Sequence, residues 1–500
     1  MSKLPIVDIA VLVAYLIATV LVGLWVGRKS RNPQEFMAAG GRVPGWAVGL
    51  SIFGTYVSSI SFLALPGKAF ASNWNAFVFS LALPLTTWLA VRYFVPFYRR
   101  SGELSAYQHL ERRFGPWART YAVICYLLTQ IARMGTIMYL LALALAPLTG
   151  WSVPALILLT SVVVIVYTLF GGMEAVIWTD VVQSIVFIVG ALACMVILLG
   201  GMPQGPGQLF QIAIAHDKFS LGSCGLSLSE STCWVVLMYG IVLNLQNFGI
   251  DQSYVQRYHT AKNDREAAGS VWLGALLYLP ISAVFFFIGT GLFAFYTARP
   301  ELLPPTVDAV GKPDTVFPHF IVAELPLGLT GLVIAAIFAA AQSTISSSIN
   351  CSATLLLCDI YRRYFRPDAD DRRAMWVLRI ASLLVGLLGT AAALAMVHIQ
   401  TALDVWWELA GIFSGGMLGL FLLGLISRAS NAAALTGVIT GVLTIVWMAL
   451  SPRCDWLPQL LRNPLHNFLA TVVGTLVILL VGLLVSRVFG PAQRGARLKV

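Results

Sequence analysis

One run of potential ligand atoms in this chain is Gly54-Thr55-Tyr56-Val57-Ser58-Ser59-Ile60-Ser61, with Pro66-Gly67 just beyond it. A glycine followed by hydroxyl residues inside an apolar stretch is where a helix can unwind. Carbonyl oxygens freed at membrane depth are tolerated only toward protein or a water-filled cavity, and there they suit a sodium ion. A second run, Ala339–Ser348, places five hydroxyls in six positions. Ala340, Ser343, Thr344 and Ser347 fall at i, i+3, i+4 and i+7, so they line one helical face. Hydroxyls are good ligands for a hard cation, and carbonyls of an opposed unwound helix would complete its shell. Both runs also admit a plainer reading, as small residues that let helices approach closely. Packing alone would accept Gly and Ala as readily as Ser and Thr.

Two ionisable residues stand out beside these runs. Asp180 ends Gly171-Gly172-Met173-Glu174-Ala175-Val176-Ile177-Trp178-Thr179-Asp180 and opens an apolar segment. Arg133 sits inside another, in Gln130-Ile131-Ala132-Arg133-Met134-Gly135. An arginine at the membrane centre costs about 2.5–3.5 kcal/mol on insertion, so Arg133 is expected to face the protein interior, toward a salt-bridge partner or an anionic ligand. Asp180 reads either as a solvated helix start or as a buried functional group. Asp404 and Glu408, at i and i+4 near a span end, read as interfacial. The seven cysteines form no CxxC pair, and the six histidines show no metal-ligand spacing. Cys224 and Cys233 are close enough in sequence for a disulfide on the outside, or for two unpaired thiols.

The elements that must carry these residues are membrane helices. Charged residues make up 11% of the 500, hydrophobic residues 58%, and mean hydropathy is +0.82; a water-soluble surface needs about 25% charged residues. The runs are too long and continuous for barrel strands, and a span needs about 20 apolar residues. Thirteen spans are expected, near 5–26, 45–70, 76–98, 118–147, 153–170, 177–200, 233–250, 267–296, 329–358, 374–398, 403–427, 431–450 and 466–489. Of the 32 Lys and Arg, 24 fall on one side of this layout and 7 on the other, with Arg133 left over. The positive-inside rule then puts the N-terminus outside and the C-terminus in the cytoplasm. Basic patches such as Arg99, Arg100, Arg112 and Arg113 become topology determinants rather than a nucleic-acid surface, despite a net charge of +10. A membrane-embedded enzyme would need a nucleophile–base pair or a His/Asp cluster at membrane depth, and the sequence offers none; a channel is not excluded by broken helices alone.

Several of these residues carry a resemblance to the sodium:solute symporter family. Gly40-Gly41-Arg42-Val43-Pro44-Gly45-Trp46 resembles the entry to its first core helix. Gly171-Gly172 through Asp180 is similar to the loop entering its fifth core helix, and Ala335-Ala336-Ile337-Phe338 through Ser348 to its sodium-binding eighth. Asp251-Gln252 with Val255-Gln256-Arg257-Tyr258 matches a further motif. The resemblance runs in order over nearly the whole chain and is closest to the bacterial sialic acid:sodium symporters. It implies an all-α polytopic protein with a LeuT-type 5+5 inverted-repeat core in the bacterial inner membrane. The expected division is an extra helix and cytoplasmic loop at 1–44, a first repeat at 45–200, an external loop at 201–232, a second repeat at 233–427 and two further helices with a tail at 428–500.

The same resemblance implies a function and its residues. The chain would be no enzyme but a secondary active transporter that couples inward sodium flux to uptake of a small organic anion, with sodium, that solute and the lipid bilayer as its partners. One sodium site would use main-chain oxygens at Gly54 and Val57 with Ala340, Ser343 and Thr344. A second would use Asp180 with Ser343, Ser346 and Ser347, so two sodium ions are expected. In the substrate pocket, Arg133 matches an arginine that holds the sialic acid carboxylate, and Ser58 and Ser61 keep their hydroxyls. Tyr56 stands where that branch has a threonine, and Ala76 and Ser80 replace an aromatic residue and a glutamine. A carboxylated solute is therefore expected, not necessarily sialic acid itself. A neutral solute with a structural Arg133 is the alternative.

Overall fold

The computed structural model describes residues 4–28, 30–305, 307–397, 415–454 and 456–489, and the described residues are helical apart from connecting loops and one isolated backbone bridge. Helix is what this composition dictates, because in lipid each backbone donor and acceptor must be satisfied within its own segment. The main helices are α1 (Ile6–Gly27), α2 (Gly45–Tyr56), α3 (Ser59–Ala71), α4 (Asn75–Ser101), α5 (Pro116–Thr149), α6 (Val153–Gly200), α7 (Cys233–Ile250), the short α8 (Gln252–Tyr258), α9 (Asp264–Ala298), α10 (Leu329–Phe365), α11 (Asp371–Met396), α12 (Gly415–Ile426), α13 (Asn431–Leu450) and α14 (Leu469–Phe489). Ten helices are long and apolar enough to cross a membrane by themselves, and α2 with α3 make one more as a bent pair. About half of the span expected near 403–427 lies outside the described residues, and so do Asp404 and Glu408.

Short polar side chains start these helices. Thr232 caps α7 by accepting from the Val235 N–H, Asn263 caps α9 at Glu266, and Ser430 caps α13 at Ala433; each cap satisfies a donor that has no partner within its helix. Asp8 does this across the fold. Its buried carboxylate accepts from the Gly328 and Gly331 N–H groups at 2.8 Å each, at the positive end of α10. With Tyr15 donating to the Gln342 side chain at 2.7 Å, the two helices run parallel.

At 48 residues, α6 would be about 72 Å long if straight, more than twice a hydrocarbon core. Gly172 breaks it, at φ 60° and ψ −157°, a conformation that only glycine adopts without strain. Tyr167 donates to the Gln342 carbonyl and Asp180 accepts from Ser343. Residues 167 and 180 thus meet neighbouring positions of α10, so the chain doubles back at Gly172, between the spans expected at 153–170 and 177–200.

The helix α10 is the axis of the molecule. In its most apolar stretch 94% of residues are buried, and α1, α2, α3, α5, α6, α8 and α11 pack around it. The outer helices present Leu21, Trp25, Val196, Leu384 and Leu443, each more than half exposed, as lipid would require. Cys224, before α7, and Cys233, at its start, stand as free thiols with their Sγ atoms 2.9 Å apart.

Candidate functional site

Two interrupted helices face each other beside α10. The first is the expected one: α2 stops at Tyr56, Val57 is extended (φ −77°, ψ 138°), and α3 starts at Ser59, bent from α2 by 56°. Ser58 caps the new helix by accepting from the Ser61 N–H. The second interruption was not expected. Helix α7 stops at Ile250, Asp251 is extended (φ −75°, ψ 126°), and its carboxylate caps α8 at the Ser253 N–H, 2.7 Å away. Paired interruptions in the two halves of a transporter are where substrates and ions bind.

The first break meets the hydroxyl stripe of α10. The Thr344 hydroxyl lies 3.1 Å from the Val57 carbonyl and 3.3 Å from that of Ala340. A Cβ on Gly54 would sit 2.9 Å from Ser343 Oγ, so only glycine leaves room there. Gly54, Val57, Ala340 and Ser343 line a void of ≈10 Å³, about the room of one water-sized sphere. Four of the five residues expected at the first sodium site line this void, and the fifth, Thr344, is hydrogen-bonded to the carbonyls of two of them, Val57 and Ala340. Gln183 lines the same void, is 1% exposed, and has no hydrogen-bond partner for either end of its amide.

Asp180, Ser343 and Ser347 also meet, around a group that the sequence reading placed elsewhere. Arg257, counted among the basic residues of a cytoplasmic loop, is fully buried on α8. Its Nη2 donates to Asp180 Oδ2 at 2.9 Å and to Ser347 Oγ at 2.6 Å, and its Nε donates to Ser51 Oγ at 2.8 Å. Ser51 donates in turn to Asp180 at 2.5 Å, and Ser343 donates to the other carboxylate oxygen at 2.6 Å. Asp180 is therefore buried and fully engaged, not a solvated helix start. A guanidinium fills the cation position beside it. Ser346 donates to the Ser343 carbonyl instead.

Above these groups an aromatic cluster closes the gap between the two breaks. Tyr56 stacks on Phe248 with ring centroids 6.0 Å apart and meets Tyr278 edge-on at 4.4 Å and Tyr254 at 6.4 Å. Its hydroxyl donates to the Asn244 side chain. Ser80 is bonded to Ser282 at 2.9 Å, and Tyr278 adjoins Ser61, Ser80 and Ser282. Arg133, half-buried on α5, neighbours Tyr254 and Asp251 but pairs with no carboxylate among the described residues. The expected pocket residues Tyr56, Ser58, Ser61, Ser80 and Arg133 thus border one region, with Asn244, Tyr254, Tyr278 and Ser282 added by the second half of the chain. Asn244, Tyr278 and Ser282 lie in apolar helices and Tyr254 in the short polar α8, and no local pattern marks them.

A family model, sodium:solute symporter family, matches residues 36–441. The chain is 35% identical to the sodium/sialic acid symporter NanT of Aliivibrio fischeri over 486 residues, covering 96% of this chain and 92% of that protein. It is 34% identical to the sodium/sialic acid symporter SiaT of Proteus mirabilis, covering 98% and 96%. A solved structure of a sodium-coupled sialic acid symporter, substrate-bound and outward-open, aligns over 97% of this chain and 99% of that one, with a TM-score of 0.87 and 32% identity.

Proposed function

The chain belongs to the sodium:solute symporter family, and from that premise we propose that it couples inward sodium flux to the uptake of a small carboxylated solute, a sialic acid or related sugar acid, by alternating access. It is a sodium-coupled transporter with the LeuT-type fold and not an enzyme. The observation that carries the ion reading is the convergence of the Val57 and Ala340 carbonyls with the Thr344 and Ser343 hydroxyls beside the α2–α3 break. The Thr344 hydroxyl bridges the Val57 and Ala340 carbonyls and holds these oxygens beside the void. The carboxylate reading rests on Arg133, a half-buried cation without an ion-pair partner among the described residues, next to a pocket rich in hydroxyls. The Tyr56 phenol, held by Asn244, narrows that pocket where the sialic acid branch has a threonine.

Two sodium ions per solute are proposed, loaded in order. The first site is open to an ion, whereas the second is closed by Arg257 until the guanidinium leaves Asp180. For a monoanionic solute this moves one net positive charge inward, worth about 2.3 kcal/mol per 100 mV. In proteoliposomes with a valinomycin-set potential, uptake should be saturable and concentrative, rise with inside-negative potential, and give a sodium Hill coefficient near two. Voltage-independent uptake with a coefficient near one would leave Asp180–Arg257 as a permanent ion pair and one sodium per cycle.

Ser343 is shared by both sites, and its replacement separates ligand from packing. Ser343→Ala should raise the sodium concentration for half-maximal uptake about tenfold or more, since losing a hydrogen-bonding partner of a charge costs about 1.5–3 kcal/mol. Ser348, whose hydroxyl donates to Gln130 at 2.7 Å, should change it less than about twofold when made alanine. Equal shifts in the two sodium titrations would reduce the hydroxyl stripe to a packing surface.

A further inference from the structure

A cavity of ≈1450 Å³ opens where α1 and α10 end and α11 begins, and it is lined by none of the residues assigned to the ion and solute sites. Six arginines line it: Arg28, Arg31, Arg366, Arg372, Arg373 and Arg379. Asp370 and Asp371 are the acidic lining residues, and Arg373 Nε lies 3.7 Å from Asp370 in an exposed pair. Among the described residues the other five arginines form no ion pair. The cavity is therefore strongly positive, and the N-terminus of α11 adds its own partial positive charge. Its rim is apolar and exposed: Trp376 is 67% accessible and Phe170 49%, with Leu24 beside them. Tryptophan at such a level marks the membrane interface.

The positive-inside rule accounts for arginines on this side of the bilayer. It does not account for six of them around one concave space with an apolar lip. We infer that this cavity is a binding site for an anionic phospholipid of the cytoplasmic leaflet, with the headgroup phosphates among the arginines and the acyl chains leaving past Phe170, Trp376 and Leu24. Arginine forks suit phosphate oxygens bidentately, and basic pockets between membrane helices on the cytoplasmic side take such headgroups. A diphosphatidyl lipid, with two phosphates and four chains, fits the charge and the volume better than a single-phosphate lipid. Bound there, it would bridge α1, α10 and α11.

Native mass spectrometry of the intact protein in detergent tests this, with cardiolipin, phosphatidylglycerol and phosphatidylcholine added in turn. Wild type should retain cardiolipin at least about tenfold more tightly than phosphatidylcholine. The variant Arg366→Gln/Arg372→Gln/Arg379→Gln should lose that preference, by about fivefold per arginine removed. Arg100→Gln/Arg265→Gln, on the same side but outside the cavity, should keep it. A cardiolipin-induced rise in melting temperature should follow the same pattern, and the single Arg372→Gln change should give an intermediate loss. Equal losses in both multiple variants would reduce the cavity to general charge attraction. Stabilisation by inorganic phosphate alone, matching that by lipid, would make it a site for soluble anions. Either result, or no lipid preference in wild type, overturns the proposal.

Discussion

Arg257→Gln is expected to leave a protein that is markedly less stable without sodium and largely restored by it. Asp180 and Arg257 are both fully buried and bonded through Ser51, Ser343 and Ser347. Removing one partner of a buried pair strands the other charge, at a cost of about 3–5 kcal/mol. In this fold the stranded carboxylate has the Ser51, Ser343 and Ser347 hydroxyls around it, the last two of them in the donor set of the proposed second sodium site. Sodium can then stand where the guanidinium stood, and an ion at about a hundred times its dissociation constant returns about 2.7 kcal/mol. Melting curves of the purified variant in sodium and in potassium measure this directly. The sodium-specific rise should exceed that of wild type, whose second site must first release its own cation. The double variant Asp180→Asn/Arg257→Gln removes both charges and should regain stability with no such ion dependence. A loss for Arg257→Gln that is equal in both salts would make the pair purely structural and remove the second sodium site.

The other large effect is expected at Arg133. If its guanidinium holds the solute carboxylate through two parallel hydrogen bonds, a lysine offers only a point charge in its place. Arg133→Lys should raise the solute dissociation constant by about 10–100-fold, as losing about 1.5–3 kcal/mol of charge-assisted bonding implies. Arg133→Ala should abolish uptake of the acid. Stability without solute should barely move, because no described carboxylate pairs with Arg133 in the folded chain. Calorimetric titration with sugar acids and monocarboxylates, beside melting curves of the solute-free variants, separates the possibilities. Unchanged affinity with a large loss of solute-free stability would refute the carboxylate role and favour a neutral solute.

The legible parts of the site were those whose signal is local. The α2–α3 break is written in one short stretch, glycine then hydroxyls, and the stripe on α10 in one helical period. Asp180 was recognisable as an ionisable residue at the start of an apolar run. Its partner was not, because Gln252–Tyr258 is polar and follows a span, as a cytoplasmic loop would. Only the tertiary fold, closing a separation of 77 residues, shows that α8 turns inward and buries Arg257. The break at Asp251 has a glycine close by, Gly249, but lacks the run of hydroxyl residues that marks the first one. The break in α6 is legible, since two spans are expected at 153–170 and 177–200 on either side of Gly171-Gly172, although helical hydrogen bonding runs almost through Gly172 and joins them into one element.

The burial of α10 on nearly every side has a consequence for which ion the protein accepts. A helix with one face in lipid can shift outward to accommodate a larger guest, but this one is held by seven neighbours. The wall formed by Ala340, Ser343 and Thr344 cannot retreat, and the opposing carbonyls at the α2–α3 break are fixed by the cap at Ser58. A potassium ion, with its longer oxygen distances, would have to push apart packed side chains to enter, which in a close-packed interior costs about 1–3 kcal/mol. With sodium bound at the proposed site, discrimination between the two alkali metals would be set by the stiffness of the scaffold around the cage as much as by the oxygens that line it.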